Sequence, residues 1–248
     1  MSHSQFEAEP QPEQHWAMLE LGSACLGDER RTARLVALSE ALANKPASSL
    51  PEACGNWAAT KAAYRFLSND EIEPDDILAA HRDSTLERIR QHSMVLAIQD
   101  TTAYNFTTHR ATRGLGPISG KKKGYTNAPT GVLVHSCLAV SPEGVPLGLL
   151  GQRLWVRTEP NDDAEPGADD LPTMQGKESG RWQAMLEPST DGLPTTTRVL
   201  TVADREADIY EFFVEAARLG KDILVRATWN RRLANENAGV RDAVERAP

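Results

Sequence analysis

The stretch MVLAIQDTT, residues 94–102, contains a β-rich apolar run that leads directly into Asp100. A second stretch, RVLTVADREADIY at residues 198–210, repeats the arrangement and leads into Asp204. Such short runs predict buried strands, and rigid strand ends can hold charged ligands at a fixed separation. Two carboxylates from distant strands predict a Mg²⁺ or Mn²⁺ site for displacement at phosphodiesters. The alternative is that each Asp caps the turn or helix that follows it.

Six blocks, two of which lie within the stretches above, occur in one order along the chain and strengthen the catalytic interpretation. They are LGDERRTARL (26–35), AAYRFLSN (62–69), AIQDTT (97–102), VHSCL (134–138), KESGRW (177–182) and VADREADIY (202–210). From about residue 16 to about residue 226, this set resembles the Tn5-type transposases of the IS4 group. These are cut-and-paste DDE enzymes with a ribonuclease-H-like core.

The resemblance implies a DNA transposase that uses metal-assisted phosphodiester hydrolysis and strand transfer. Asp100 and Asp204 match the first two acidic ligands of the family, whose complete site holds two Mg²⁺ or Mn²⁺ ions. The implied partner is double-stranded DNA, both the transposon end and the target. A homodimer in a synaptic complex is also implied, although the region through which the family dimerises is not recognised here.

The third carboxylate of the family is a Glu in a helix with the pattern Tyr-x-x-Arg-x-x-x-Glu-x-x-x-x-x-x-Lys. No Tyr follows Tyr210 in this sequence, and Glu236 and Glu245 lie in an unpatterned polar tail. We therefore expect the chain to be the N-terminal part of such an enzyme, truncated before the third carboxylate. By itself it is expected not to cleave or join DNA at a transposase-like rate.

The apolar patterns predict an α/β protein. Residues 1–14 are expected to be a disordered tail, and residues 15–90 a small N-terminal helical DNA-binding domain that contacts transposon ends. Residues 91–248 are expected to be an incomplete ribonuclease-H-like mixed-sheet core. The predicted helices are 30–43, 56–67, 75–90, 177–186 and 207–219. The predicted strands are 95–99, 132–140, 146–156, 199–203 and 223–227, with a turn at 141–144 that makes the second and third antiparallel.

Basic residues in several places are candidates for DNA contacts. Arg30 and Arg34 are four residues apart and share one helix face, and Arg31 lies about 100° further around the helix axis. The resemblance assigns DNA contacts to this region and to Arg65. A solvated face paired with acidic neighbours is the alternative. The resemblance also places Arg226 at DNA near the active site, where pairing with a carboxylate is the other interpretation. The run Lys121, Lys122 and Lys123 is either a solvated loop or a phosphate-binding loop.

Other polar residues near these motifs are given structural interpretations. His135, inside the apolar run VLVHSCLAV, is expected to be a structural histidine with satisfied hydrogen bonds and not a catalytic base. Asp208 is expected to be an N-terminal helix residue, not a third ligand. Tyr64 and Phe66 are expected to lie in the core of the helical domain.

The composition is that of a globular protein without a membrane span. The chain has 248 residues, of which 40% are hydrophobic and 25% charged, and a net charge of −8. DNA binding requires a local basic surface, and residues 101–158 hold seven Lys or Arg against Glu143 alone. The N-terminus lacks the features of a secretory signal. Three scattered cysteines (Cys25, Cys54 and Cys137) predict buried structural thiols in a reducing cytoplasm.

Two alternatives to an active transposase follow from the missing third ligand. The chain could be a non-catalytic DNA-binding protein that occupies transposon ends and inhibits a complete transposase. It could also be an inert fragment of a decayed element.

Overall fold

The computed structural model describes residues 16–119, 128–157, 178–193, 195–233 and 238–246. The chain divides into two compact units, residues 1–84 and 85–248. The predictions for the tail 1–14 and for Lys121, Lys122 and Lys123 lie outside the described residues.

The first unit is helical, as predicted. It contains α1 (Trp16–Leu21), α2 (Glu29–Asn44), α3 (Leu50–Cys54), α4 (Trp57–Leu67) and most of α5 (Pro74–Ile89), within which the unit boundary falls. Asp28 caps α2, because its carboxylate accepts a hydrogen bond from the Arg30 N–H at 2.8 Å. Asn56 caps α4 in the same way through the Ala59 N–H. The short α3 was not predicted from the sequence.

The core of this unit is built from one face of each helix. Its buried residues include Ala17, Leu21, Leu26, Leu35, Leu38, Ala63 and Phe66. In α4 the buried positions are Thr60, Ala63 and Phe66, which are spaced by three. Phe66 is therefore core, as predicted, whereas the prediction for Tyr64 is wrong. Tyr64 lies about 200° from Phe66 around the helix and is 53% exposed.

The second unit contains a six-stranded mixed sheet. Its strands are β1 (Met94–Asn105), β2 (Gly116–Pro117), β3 (Thr130–Val140), β4 (Pro146–Trp155), β5 (Arg198–Ala203) and β6 (Asp222–Val225). β3 lies antiparallel to β1 and β4, and the turn at 141–144 joins β3 to β4 as predicted. β1 pairs in parallel with β5, and β5 with β6. The two-residue β2 pairs antiparallel with β3. Apart from β2, three antiparallel strands are followed by two parallel ones, which is the ribonuclease-H-like order and confirms the predicted fold class.

Besides the end of α5, the described residues of the second unit contain three short helices, of which the first two contribute buried side chains to the core. They are α6 (Gly180–Ala184), α7 (Tyr210–Arg218) and α8 (Val240–Arg246). The predicted helix 207–219 is divided, since a 3₁₀ turn (Arg205–Ala207) precedes α7. Trp182 of α6 and Phe212 of α7 are fully buried and pack in one apolar cluster. The helix α8 lies in the stretch whose sequence shows no helical pattern.

β1 is much longer than the predicted strand 95–99. It continues to Asn105 because its antiparallel pairing with β3 runs on to Gly131, whereas its parallel pairing with β5 stops at Gln99. Asp100 therefore does not enter a turn, as the sequence suggested. It lies in the middle of β1, at the first position beyond the parallel pairing.

The three cysteines differ in their burial. All three cysteines are free; Cys137 is buried as expected, Cys54 is half-buried, and Cys25 is exposed, contrary to the prediction. Burial raises the pKa of the Cys137 thiol to about 12. Among the helices in the described parts of the chain, none has the length and apolar character needed to cross a bilayer.

Candidate functional site

The parallel pairing of β1, β5 and β6 stops at one level of the sheet, and charged residues follow there. Gln99 of β1 is aligned with Ala203 of β5, and Ala203 with Val225 of β6. One residue beyond these positions, the three strands lead to Asp100, Asp204 and Arg226, which we term the charged row. Neighbouring strands are about 4.8 Å apart, so these residues start from adjacent backbone positions. All three are exposed.

The backbone beside the charged row is fixed by hydrogen bonds. The Arg226 N–H donates to the Ala203 carbonyl at 3.2 Å, which keeps β6 aligned with β5. The Asp204 Oδ1 accepts from the Glu206 N–H at 2.8 Å, so Asp204 caps the 3₁₀ turn. The capping interpretation of this residue is therefore correct, but it occupies only one carboxylate oxygen. Among the described residues, the Asp100 carboxylate has no protein partner.

A buried polar cluster lies on the other face of β1. Gln99 and Thr101 flank Asp100 and point to the opposite side of the sheet, since strand side chains alternate. His135 of β3 lies against them, with Nδ1 2.9 Å from the Thr101 hydroxyl and Nε2 3.1 Å from the Gln99 Oε1. Its ring also packs edge-on against Trp182, 4.7 Å between centroids. The structural role predicted for His135 agrees with these contacts.

Arg181 of α6 joins this cluster to the 3₁₀ turn after β5. Its Nε donates to the Thr101 Oγ1 at 2.8 Å, and its Nη2 to the Glu206 carboxylate at 2.6 Å. Because Thr101 accepts this bond, its own hydroxyl hydrogen is available to donate to His135 Nδ1. His135 is then the tautomer that carries its proton on Nε2 and donates to Gln99. Arg181 was not assigned a role from the sequence, although it lies within the block KESGRW.

The environment of His135 keeps the imidazole neutral. Burial, with the nearby Arg181 guanidinium as the smaller cause, lowers the pKa of His135 from 6.5 to about 4. The unfolded chain, in which the pKa is ordinary, therefore binds more protons between these pH values than the folded protein does. His135 contributes stability that is fully present above pH 6.5 and is lost as the pH falls toward 4.

We expect the free energy of unfolding to fall by about 3 kcal/mol between pH 6.5 and pH 4 from this residue alone, at about 1.4 kcal/mol per pH unit. Urea unfolding followed by tryptophan fluorescence across this range measures the effect. His135→Gln should remove most of this pH dependence, whereas the same change at the exposed His109 should not. Equal pH profiles for the parent and His135→Gln would contradict the assignment.

The Asp208 carboxylate is bound by the segment that follows β6. Its side chain is buried and accepts hydrogen bonds from the Thr228 N–H at 2.7 Å and the Trp229 N–H at 3.1 Å, and it pairs with Arg231. It precedes α7 by two residues, near the predicted helix start, but its carboxylate serves the segment after β6. Within the parts of the chain that are described, no group of three or more His, Cys, Asp or Glu could hold a metal ion.

The predicted DNA-binding arginines of the first unit differ in their surroundings. Arg30 and Arg34 are exposed on α2, and neither forms an ion pair with any described residue. Arg31 is half-buried; it donates to the Leu26 carbonyl at 3.0 Å and pairs with Glu71. Part of its guanidinium is therefore used to hold the loop before α2. The assignment of these residues to DNA stays a prediction.

Helix α4 presents an exposed face that was not predicted from the sequence. Trp57, Lys61, Tyr64 and Arg65 lie at spacings of four, three and one, and all are exposed. Trp57 is 77% exposed. The helix spacing alone could have shown this, because the buried positions Thr60, Ala63 and Phe66 fill the opposite face. Arg65, which was predicted, is thus one member of a mixed basic and aromatic surface.

Most of the first unit is similar to a known protein family. Residues 13–72 match the family model described as Transposase DNA-binding. This range contains α1 to α4, with Arg30, Arg34 and Arg65. The similarity to transposase DNA-binding domains therefore covers most of the first unit.

Two solved structures show weaker similarity over a larger part of the chain. They are the Mos1 strand transfer complex and the Mos1 transposase paired-end complex with left transposon end, each at 14% identity over 77% of this chain. The TM-scores are 0.27 and 0.28. The matched regions span 57% and 58% of those chains.

Proposed function

We propose that this chain is a DNA transposase component of the Tn5 type within the IS4 group. In this proposal the first unit binds the transposon end, and Asp100 and Asp204 are the first two acidic ligands of a DDE site. The observation that carries the proposal is the charged row, in which two carboxylates and a guanidinium stand on adjacent strands. The family match of residues 13–72 supports the DNA-binding part.

The donor set of the charged row fits a divalent metal. Mg²⁺ in phosphoryl-transfer sites is typically held by one or two carboxylates together with substrate phosphates and water, and two exposed carboxylates meet that requirement. When bound, Mg²⁺ or Mn²⁺ supplies Lewis acidity and lowers the pKa of coordinated water. The Asp100 carboxylate and the Asp204 Oδ2 would hold the metal ion.

The remaining residues of the site bind and orient the DNA backbone. Arg226 lies next to Asp204 in the charged row, and its guanidinium can bind two oxygens of one phosphate. It also places a positive charge beside the carboxylates, which would otherwise repel the DNA backbone. His135 takes no part in proton transfer at this site, because both of its ring nitrogens are bonded to protein groups behind β1.

A non-catalytic DNA-binding protein is the second candidate function. The observation that favours it is that no third acidic ligand accompanies Asp100 and Asp204 within the described residues. Such a protein would occupy transposon ends and exclude a complete transposase. Both candidates require the first unit to bind DNA. They differ only in whether the chain also binds a metal ion and cleaves DNA.

Replacement of Arg30 and Arg34 by alanine should weaken binding to the cognate element end. Two phosphate contacts fewer should reduce the slope of log affinity against log salt by about 2, since each contact releases a counterion. The measurement is fluorescence anisotropy of a labelled end duplex, titrated with the chain at several salt concentrations. Salt dependence separates phosphate contacts from loss of folded protein.

The matched control is Arg198→Ala with Arg218→Ala, which removes the same charge from exposed ion pairs in the second unit. This control should leave both affinity and salt slope close to those of the parent. If the variant with both α2 arginines replaced binds as the parent does, these residues belong to a solvated face.

A further inference from the structure

A continuous series of contacts through Arg181 connects the Asp204 carboxylate to the residue that follows Asp100. Asp204 accepts from the Glu206 N–H at 2.8 Å, and the Glu206 carboxylate accepts from Arg181 at 2.6 Å. Arg181 donates in turn to Thr101 at 2.8 Å, and Thr101 follows Asp100 in β1. Between Asp100 and Asp204, this is a second connection in addition to the sheet, whose parallel pairing stops one residue earlier.

The position of Arg181 is itself fixed from several directions. Its Nη1 donates to the Glu178 carbonyl at 2.8 Å, and its guanidinium lies 5.2 Å from the centroid of the buried Trp182 ring. Thr101, its partner on β1, is held by His135, which is fully buried. Only 10% of the Arg181 side chain is exposed. A planar guanidinium held in this way can fix two partners at a constant separation.

We propose that Arg181 is a positioning residue that sets the separation of Asp100 and Asp204. It binds Thr101, which follows Asp100, and Glu206, whose N–H donates to the Asp204 carboxylate. The proposal rests on the proposed function, because it assigns a role toward the metal that these carboxylates would hold. Groups that orient the ligands of a metal typically change its affinity by about 10–100-fold when they are replaced.

Electrostatics alone predicts the opposite effect of losing Arg181. A cation near two carboxylates repels a second cation, so its removal should strengthen metal binding if charge were its only contribution. A positioning role predicts weaker binding. The direction of the change in affinity therefore separates the two explanations.

Loss of Arg181 should not prevent folding. Its carboxylate partner Glu206 is 60% exposed and can be hydrated when the guanidinium is absent. Arg157 provides the matched control, because it pairs with Glu178 on the same segment, with Nη2 to Oε2 at 2.9 Å, but has no contact with Thr101 or Glu206 among its hydrogen bonds. Glu178 is 33% exposed, so Arg157→Met should lower the unfolding temperature at least as much as Arg181→Met.

The first measurement is the affinity for Mn²⁺, obtained from the electron paramagnetic resonance signal of the free ion. Arg181→Met should weaken Mn²⁺ binding by about tenfold or more, whereas Arg157→Met should change it less than about twofold. Arg181→Lys restores the charge but not the planar fork, so it should not restore the affinity. Unchanged or tighter binding by Arg181→Met, or full restoration by Arg181→Lys, would overturn the proposal.

The second measurement needs no metal. Cysteines replace Asp100 and Asp204 in a background where Cys25 and Cys54 are serine and Cys137 is alanine, and disulfide formation is followed in glutathione buffers. The cysteine at position 204 no longer accepts the Glu206 N–H, so this pair reports the backbone separation that Arg181 sets by binding Thr101 and Glu206. Adjacent strand positions meet the distance requirement for a disulfide. Adding Arg181→Met should lower the effective concentration of the two thiols by about tenfold, while Arg157→Met should not.

The two measurements distinguish failure of the inference from failure of the proposed function. If the parent binds no Mn²⁺ through Asp100 and Asp204, the proposed metal site is wrong, and the disulfide measurement still decides the role of Arg181. An effective concentration that Arg181→Met leaves unchanged would show that the sheet alone sets the separation, and the inference would fail.

Discussion

Replacement of Asp208 by alanine is expected to destabilise the second unit by about 3–5 kcal/mol, the usual cost of breaking a buried ion pair by removing one partner. The Asp208 side chain is 1% exposed, pairs with Arg231, and accepts from the Thr228 and Trp229 N–H groups. Its removal leaves a half-buried guanidinium and two backbone donors without their acceptor. Urea unfolding monitored by circular dichroism measures the loss.

Asp222→Ala is the matched control for this variant. Asp222 is also an aspartate paired with an arginine, Arg198, but both partners are at least half exposed. Exposed pairs contribute between zero and about 1 kcal/mol, so the control should unfold close to the parent. Asp208→Asn should fall between the two, because its amide keeps one acceptor and loses the charge. A loss below about 1 kcal/mol for Asp208→Ala would contradict the role assigned to this carboxylate.

The consequence of losing Asp208 should extend to the charged row. The segment that Asp208 holds, from Thr228 to Arg231, follows β6 directly and therefore follows Arg226. When this segment is released, the end of β6 loses its anchor to the residues before α7. We therefore expect the amides of this segment to exchange with solvent faster in the variant even under conditions in which the fold persists.

Strands that are formed by the burial of apolar side chains could be predicted from the sequence. Strands that exist only because their backbone pairs with a neighbouring strand could not. The runs that became β3, β4 and β5 were located within two residues, because burial of their side chains gives a pattern in the sequence. The second half of β1, TTAYN, is polar and mostly exposed, and it is a strand only because β3 continues beside it. Such pairing is decided by a segment about 30 residues away, which a local pattern does not contain.

The candidate site was partly predictable for the same reason. Asp100, Asp204 and Arg226 follow apolar runs, so their common level in the sheet could be expected from strand order. Arg181 could not be assigned, because its partners Thr101 and Glu206 are 80 and 25 residues away. Asp208 was expected at the start of a helix, and nothing in the sequence indicated that residues 20–23 positions later would bind its carboxylate.

Replacement of either Asp100 or Asp204 by alanine is expected to abolish specific Mn²⁺ binding by this chain, with a loss of affinity of at least about 100-fold. Mg²⁺ and Mn²⁺ sites depend on carboxylate oxygens, and each replacement leaves a single carboxylate, which cannot compete with water for the ion. The measurement is again the resonance signal of free Mn²⁺. Asp222→Ala removes the same charge at the opposite end of β6 and should leave Mn²⁺ affinity unchanged. An equal loss in this control would mean that the ion responds only to net charge.

The parent chain itself is expected to bind the ion weakly and not to nick element ends at a transposase-like rate. Two carboxylates can retain one ion, but in-line displacement needs fixed geometry for both the attacking and the leaving oxygen. A nicking assay on cognate ends with Mg²⁺ or Mn²⁺ tests this. Specific 3′-end nicking that Asp100→Ala abolishes would contradict the expectation. It would require a third ligand. Glu206, two residues after Asp204, is already bound by Arg181, so if Glu206 were that ligand, Arg181→Met should alter the nicking rate as well.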